Sequence, residues 1–427
     1  MKQLDIKNMH PRDQIVMIID KIYRQGMTTT SGGNISIMDE NGDMWVTPSA
    51  VDKGNLRAAD IMCVKKDGTI VGPHKPSSEY PFHKAIFDAR PEFKAVIHAH
   101  PPALVSFSIA RVVPDVNVMP YTRKYCGKVG FAPYGLPGSD ELGEKIAAQF
   151  VKGDDGVIME NHGTVVAGTD MLDAYRRFES FEYCSRTIIN AKTLGDCKTL
   201  TDAQHEAYLA KVSVQLPEMA SAEHPSCEKG IRKEIVDILQ RSCRQNMMAG
   251  SFGTVSVRWK GNDFVITPAD MMRWDIEVED LVQIKDGHRE AGKTPDATVR
   301  LHQEIYKRHP HVNSIITTPA PYLMGFGVAH KKFDVRTIPE SWIFLQDVNN
   351  YAFGDHDKVV SVLGNDTPVV IVENEMVVVT SDKLLQTFDK LEVAEFSAMS
   401  LVQGGVIGQL QPIGNAEIED LRKKFLG

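Results

Sequence analysis

The sequence predicts a mixed α/β chain made of two tandem homologous domains, each built on a mainly antiparallel sheet. Three observations predict it. Helical and strand periodicities alternate along the chain, the strands come in pairs joined by tight turns, and the whole series of segments occurs twice. KAVIHAHPPAL (94–104) recurs as NSIITTPAPYL (313–323), and ENHGTVVAG (160–168) as ENEMVVVTS (373–381). Asn34 faces Thr254 at an offset of 220, Glu79 faces Thr298 at 219, His98 faces Thr317 at 219 and His162 faces Glu375 at 213. A near-constant offset with one small deletion marks a tandem duplication, and a period this long makes each copy a domain. The expected division is a first domain over 1–215, a linker over 216–228 and a second domain over 229–427.

The elements follow in order. Residues 11–25 carry Ile15, Ile18, Ile19 and Ile22 at helical spacing, and the same entry recurs as IRKEIVDILQRSCRQ at 231–245. After a glycine turn, the alternation in ISIM and the β-rich MWVT predict two strands around the DENGD turn. IMCVKKDGTIVG predicts a second hairpin turning at Asp67-Gly68. PSSEYPFHKAIFDARP reads as a helix start, with serines able to cap it and Pro81 in its first turn. KAVIHAH reads as a short buried strand and GVIMENHGTVVAG as another. A long amphipathic helix is expected from Met171 to Gly195, a short one over AQHEAYLAKV, and a terminal one over the last residues.

Composition narrows the function classes. A 42% hydrophobic and 24% charged chain is ordinary for a globular protein, and a formal charge of −8 argues against a nucleic-acid partner. The polar start and the lack of a long apolar run predict no secretory leader, no membrane partner and a cytoplasmic location. Cys63, Cys126, Cys184, Cys197, Cys227 and Cys243 form no CxxC pair, so reduced thiols are expected.

The chemistry is concentrated in the first copy. His98 and His100 lie two residues apart on a strand, so both rings point to one face and can share a metal. His162, just before a glycine at the end of another apolar stretch, is the candidate third ligand. Three imidazoles with an open position form a catalytic rather than a structural Zn²⁺ site, although cobalt, iron or manganese also accept nitrogen donors. A bare HxH pair is weak evidence, but the second copy loses all three histidines together. His83 persists as His302 and is read as structural.

An anion pocket is expected beside the metal. Ser31, Gly32, Gly33 and Asn34 form a turn whose small residues let backbone N–H groups approach a ligand. Thr47, Pro48 and Ser49 form a second hydroxyl-bearing turn, and Ser77 and Ser78 lie at a helix start. Each alone would be an ordinary turn or cap. Together, with no lysine needed, they suit a phosphate monoester. Glu79 follows the serines and is the candidate acid/base; its alternative is a first-turn glutamate facing the helix dipole. PSSE (76–79) becomes PDAT (295–298), so the carboxylate and both serines vanish with the histidines.

These residues carry a family resemblance. SGGNIS, VTPS, KPSSE, VIHAHP, APYGLPGSDEL and ENHG occur in the order typical of the class II aldolase/adducin family, which includes L-fuculose-1-phosphate and L-rhamnulose-1-phosphate aldolases. The first half resembles it over about 12–195, and the second shares the scaffold over about 231–403 without the site. The resemblance implies a three-layer α/β/α fold and zinc on His98, His100 and His162. It further implies phosphate contacts from Ser31, Asn34, Ser49, Ser77 and Ser78, and Glu79 as acid/base. It also implies cleavage of a phosphorylated ketose to dihydroxyacetone phosphate and an aldehyde through a metal-stabilised enediolate. Decarboxylation, dehydration or epimerisation of a sugar phosphate are the alternatives on this site, and a non-catalytic adducin-like scaffold fits only the second copy. Ala50 departs from the glycine that such aldolases often place in the phosphate turn. The family's tetramers imply a homodimer of this two-domain chain, a pseudo-tetramer.

Overall fold

The computed structural model describes residues 6–212, 216–220 and 224–426. They divide into two compact units, Met1–Val116 with Thr122–Ser185, and Asn117–Tyr121 with Arg186–Gly427.

In the first unit the strands are β1 (Asn34–Met38), β2 (Met44–Val46), β3 (Met62–Val64), β4 (Ile70–Val71), β5 (Ala95–Ala99), β6 (Val129–Ala132), β7 (Gly156–Met159) and β8 (Gly163–Gly168). They form one eight-stranded sheet in the order β4-β3-β2-β1-β5-β8-β7-β6. Every described pairing is antiparallel except β6 with β7. Its helices are α1 (Pro11–Arg24), α2 (Tyr80–Ala89), α3 (Pro102–Ala110), most of α4 (Pro120–Cys126), α5 (Asp140–Val151) and the part of α6 (Met171–Leu194) up to Ser185. Helix α1 buries the four isoleucines that its periodicity singles out. Phe82, Ile86 and Phe87 of α2 and Leu142, Ile146 and Phe150 of α5 join Val46, Val96, Val157 and Val165 in one apolar core.

Two local expectations are corrected. Residues 156–168 make two strands, because Asn161 adopts a left-handed φ of 52° and folds β7 back against β8. The serines before α2 do not occupy its N-cap position; Glu79 does, without a side-chain cap, while Ser77 Oγ accepts the Glu79 N–H at 3.3 Å.

The second unit repeats this plan. Its strands are β9 (Thr254–Lys260), β10 (Asp263–Ile266), β11 (Val282–Lys285), β12 (His288–Arg289), β13 (Ser314–Thr318), β14 (Asn349–Tyr351), β15 (Val369–Val372) and β16 (Met376–Ser381). Their order, β12-β11-β10-β9-β13-β16-β15-β14, is the same permutation, again with one parallel pair, β14 with β15. Register is kept as well: Asn34 pairs with His98 as Thr254 pairs with Thr317. So is backbone strain, since the left-handed φ of 55° at Ala50 and 52° at Asn161 recur as 54° at Asp270 and 55° at Asn374. Of the segment 216–228, residues 221–223 lie outside the described residues. Leu216 belongs to the second core, the Met219 N–H donates to Arg289 O, and 226–228 open the helix Ser226–Arg244. No described helix is long and apolar enough to cross a membrane.

Candidate metal centre and anion cradle

His98 lies in β5, His100 just beyond its end, and His162 in the turn between β7 and β8. Neighbouring strands bring them together: β5 pairs with β8, so the turn that follows β7 arrives beside the end of β5. The three histidines each offer a ring nitrogen, and these nitrogens lie within 4.8 Å of one another. The Nε2 atoms of His98 and His100 are 3.1 Å apart. His98 Nδ1 donates to Thr164 O at 2.9 Å, which fixes the tautomer and leaves the Nε2 lone pair facing its neighbours. Burial pushes the His100 and His162 imidazoles down to about 3 and about 4, with His98 adding to the effect, so both are neutral at pH 7. Neutral nitrogen donors converging on one point fit a divalent transition-metal ion.

The close approach depends on small residues and a clamped turn. A Cβ on Gly163 would stand 2.7 Å from Ala99 O and 2.7 Å from His100 Cδ2. Ser108 Oγ donates to Met159 O at 2.6 Å and accepts the His162 N–H at 3.0 Å, so one buried hydroxyl holds both sides of the turn. Sequence reasoning missed Ser108, because its link to His162 spans 54 residues.

Glu79 reaches the same point. Its carboxylate oxygens lie 3.3 Å from His98 Nε2 and 3.3 Å from His162 Nε2. Asn34 Nδ2 donates to Oε2 at 2.8 Å, and buried Oε1 has no hydrogen-bond partner among the described residues. Burial pushes this carboxyl up, but His98, then His162 and the Asn34 amide outweigh it and hold the group well below the ordinary carboxylate range. Asn34 Oδ1 in turn accepts from His83 Nε2, whose other nitrogen meets Ser36 Oγ at 2.7 Å. His83 is fully buried, and its chain of contacts ends on Glu79 through Asn34.

The expected anion residues lie on three turns. Pro48 bridges Pro76, Ser49 N donates to Lys75 O at 2.9 Å and Ser77 N to Thr47 O at 3.1 Å, which joins the second and third turns. A Cβ on Gly33, whose φ is 72°, would stand 2.9 Å from His98 O, which sets the first turn against β5. Ser31 and Ser78 are exposed and Ser49 is half-buried. Asn34 and Thr47 are buried, and their side chains are engaged within the protein: Asn34 with Glu79 and His83, Thr47 Oγ1 with the Ile35 N–H at 3.2 Å. Lys53, which sequence reasoning passed over, is buried behind the second turn and donates from Nζ to Pro48 O at 2.9 Å and Val51 O at 3.1 Å.

The second unit keeps the framework and replaces the chemistry. His302 Nδ1 meets Ser256 Oγ at 2.7 Å, as His83 meets Ser36. Its Nε2 faces Thr317 Oγ1 at 3.3 Å, where the first unit has His98. Glu375, at the place of His162, hydrogen-bonds through Oε1 with His356 Nε2 at 2.6 Å. Arg273, at the place of Lys53, pairs with Asp296 at 2.8 Å.

The Class II Aldolase and Adducin N-terminal domain model matches the chain twice, over residues 13–189 and 233–402. The chain is 31% identical over 175 residues to the 3-oxo-tetronate 4-phosphate decarboxylase of Haemophilus influenzae, covering 40% of this chain and 83% of that protein. It is 30% identical over 181 residues to the L-fuculose phosphate aldolase of Methanocaldococcus jannaschii, covering 42% and 96%. It is 28% identical over 198 residues to the 5-deoxy-D-ribulose 1-phosphate aldolase of Bacillus thuringiensis serovar kurstaki, covering 46% and 92%. With both halves matched, and the histidine cluster found in the first alone among the described residues, this protein belongs to the class II aldolase and adducin family, in two tandem copies.

Proposed function

We propose that the first unit is a metal-dependent carbon–carbon lyase acting on a phosphorylated sugar. Its first reading is an aldolase that releases dihydroxyacetone phosphate and an aldehyde. The observation that carries it is the position of Glu79, with both oxygens 3.3 Å from ring nitrogens of the triad and one oxygen without a hydrogen-bond partner. His98, His100 and His162 hold the ion, which we read as zinc. A divalent ion bound there supplies a Lewis acid that stabilises negative charge on a substrate oxygen.

The chain's own residues do the rest. Ser31, Gly33, Ser49, Ser77 and Ser78, with the backbone at Asn34 and Thr47, bind the phosphate and so set which carbon lies beside the triad. Asn34 fixes one Glu79 oxygen and leaves the other for proton transfer. Glu79 takes the hydroxyl proton from the carbon that leaves as the aldehyde. It returns that proton to the carbon that keeps the bonding electrons, so the proton count closes. A layered α/β/α arrangement of each unit, the division of labour between a catalytic first domain and a non-catalytic second, and a homodimer belong to the same reading.

The resemblance to the decarboxylase of Haemophilus influenzae favours a second reading, loss of carbon dioxide from a phosphorylated keto acid. There the departing group needs no base, and Glu79 passes a proton taken from water to the carbon left behind. Incubating the metal-loaded chain with a panel of ketose 1-phosphates and with 3-oxo-tetronate 4-phosphate separates the two. Triose phosphate release supports the aldolase, carbon dioxide release the decarboxylase, and neither product from either substrate class rejects the lyase reading.

A further inference from the structure

The two copies treat one buried position differently. Lys53 and Arg273 are equivalent: the backbone N–H of Lys53 donates to Thr30 O at 2.9 Å, and that of Arg273 to Gly250 O at 2.8 Å. Both cations reach matching carbonyls. Lys53 Nζ donates to Pro48 O and Val51 O, and Arg273 Nη1 to Pro268 O at 3.1 Å and Met271 O at 2.8 Å. Arg273 is 0% exposed and Lys53 2%, so both positive charges are out of water.

The difference is the counter-charge. Arg273 Nη2 meets Asp296 Oδ2 at 2.8 Å, and its Nε donates to Gly253 O at 2.6 Å, so the guanidinium spans the turn from the glycine loop to the helix start. Asp296 occupies the place of Ser77: its N–H donates to Thr267 O at 2.9 Å, as Ser77 N does to Thr47 O at 3.1 Å. In the first unit arginine is replaced by the shorter lysine and the carboxylate by a neutral hydroxyl. A buried cation without an anionic partner is costly. An ammonium has three N–H donors, and two carbonyls take only two of them. Burial pushes the Lys53 pKa below the ordinary lysine range, with Asp52 partly opposing.

We infer that Lys53 is the fixed positive charge of the phosphate cradle, doing for a ligand phosphate what Arg273 does for Asp296, and that the second cradle is the same anion site closed by its own carboxylate. The inference rests on the phosphate-cradle reading above and adds to it the group that selects a phosphorylated over an unphosphorylated substrate. It also explains why serine stands at 77 and aspartate at 296: each position complements the cation behind it.

The test is calorimetric titration of inorganic phosphate into the metal-loaded full chain. The native chain takes one phosphate per chain. Lys53→Met weakens that binding by about 10- to 100-fold, the worth of a hydrogen bond to a charged group. Its bound metal stays at the native level, since the triad is untouched. Asp296→Ser, which copies Ser77 and keeps a hydroxyl to accept the Thr298 N–H that Asp296 Oδ1 now holds at 3.0 Å, gains a second phosphate per chain. A folded, metal-loaded Lys53→Met chain that binds phosphate as tightly as the native one overturns the assignment and leaves the cradle reading intact. If Lys53→Met does not fold, Asp296→Ser decides, and one phosphate per chain overturns it. A native chain that loads metal but takes no phosphate overturns the cradle reading and this inference with it.

Discussion

At Glu79 two demands meet. The carboxylate must stay ionised beside a cation site, and it must keep one oxygen unencumbered. The structure serves both through Asn34, whose amide donates to one oxygen and so favours the ionised form, while the other oxygen has no hydrogen-bond partner among the described residues. Glu79→Gln keeps the shape and removes the proton acceptor. Turnover is expected to fall by about 10²–10⁴-fold, with bound metal unchanged by elemental analysis. His98→Ala removes the most buried ligand, and elemental analysis should find the purified chain without stoichiometric metal. A fully loaded His98→Ala chain would remove the triad assignment. At this scale, much was legible before any coordinates. An HxH pair on a strand and its loss in the copy already single out the triad. The inward turn of Asn34 and Thr47 was not legible, because their partners Glu79, His83 and the Ile35 N–H lie 45, 49 and 12 residues away. Lys53 was passed over because a lone lysine in a loop looks solvated; only its equivalence to Arg273 sets it apart.

At the scale of elements, the turn 160–162 is the most consequential piece. Local patterning sees GVIMENHGTVVAG as one apolar run, since both flanks are strand-like. What divides it is a left-handed residue at Asn161, and asparagine is among the few side chains that tolerate that conformation. The fold-back gives the sheet a hairpin and delivers His162 to the end of β5. Gly163 makes the delivery possible by leaving Cβ space empty. Gly163→Ala is expected to weaken metal binding by about 10- to 100-fold, the range seen when support around ligands is disturbed. Competition with a chromogenic chelator measures this, and native affinity in Gly163→Ala would show that the close approach has slack. The other hairpins were legible because their turns carry glycine or aspartate between alternating strands, and α1 because its isoleucines repeat at helical spacing.

The whole molecule is one plan executed twice, and the comparison gives a pH prediction. Burial lowers His302 to about 3 from its ordinary 6.5, so the folded second unit holds it neutral. Between those values the unfolded chain binds a proton that the folded chain refuses. Stability is therefore full above about pH 6.5 and is lost as the pH falls toward 3. His83 behaves the same way in the first unit. Urea unfolding across this range should show the decline, and His302→Gln should make it shallower; an unchanged slope would mean that other groups set it. A second whole-molecule expectation is the homodimer, which light scattering on the eluting chain checks; a monomer at micromolar concentration would refute it.

The retained register of the second sheet has a practical consequence. Thr317, Pro319 and Glu375 stand at the positions that carry His98, His100 and His162 in the first copy, and Thr317 pairs with Thr254 as His98 pairs with Asn34. The second sheet keeps the pairing that presents His98 in the first and carries other side chains there. The duplicated half is thus a vacant mount, and re-endowing it is a problem of swapping side chains on an architecture already in place.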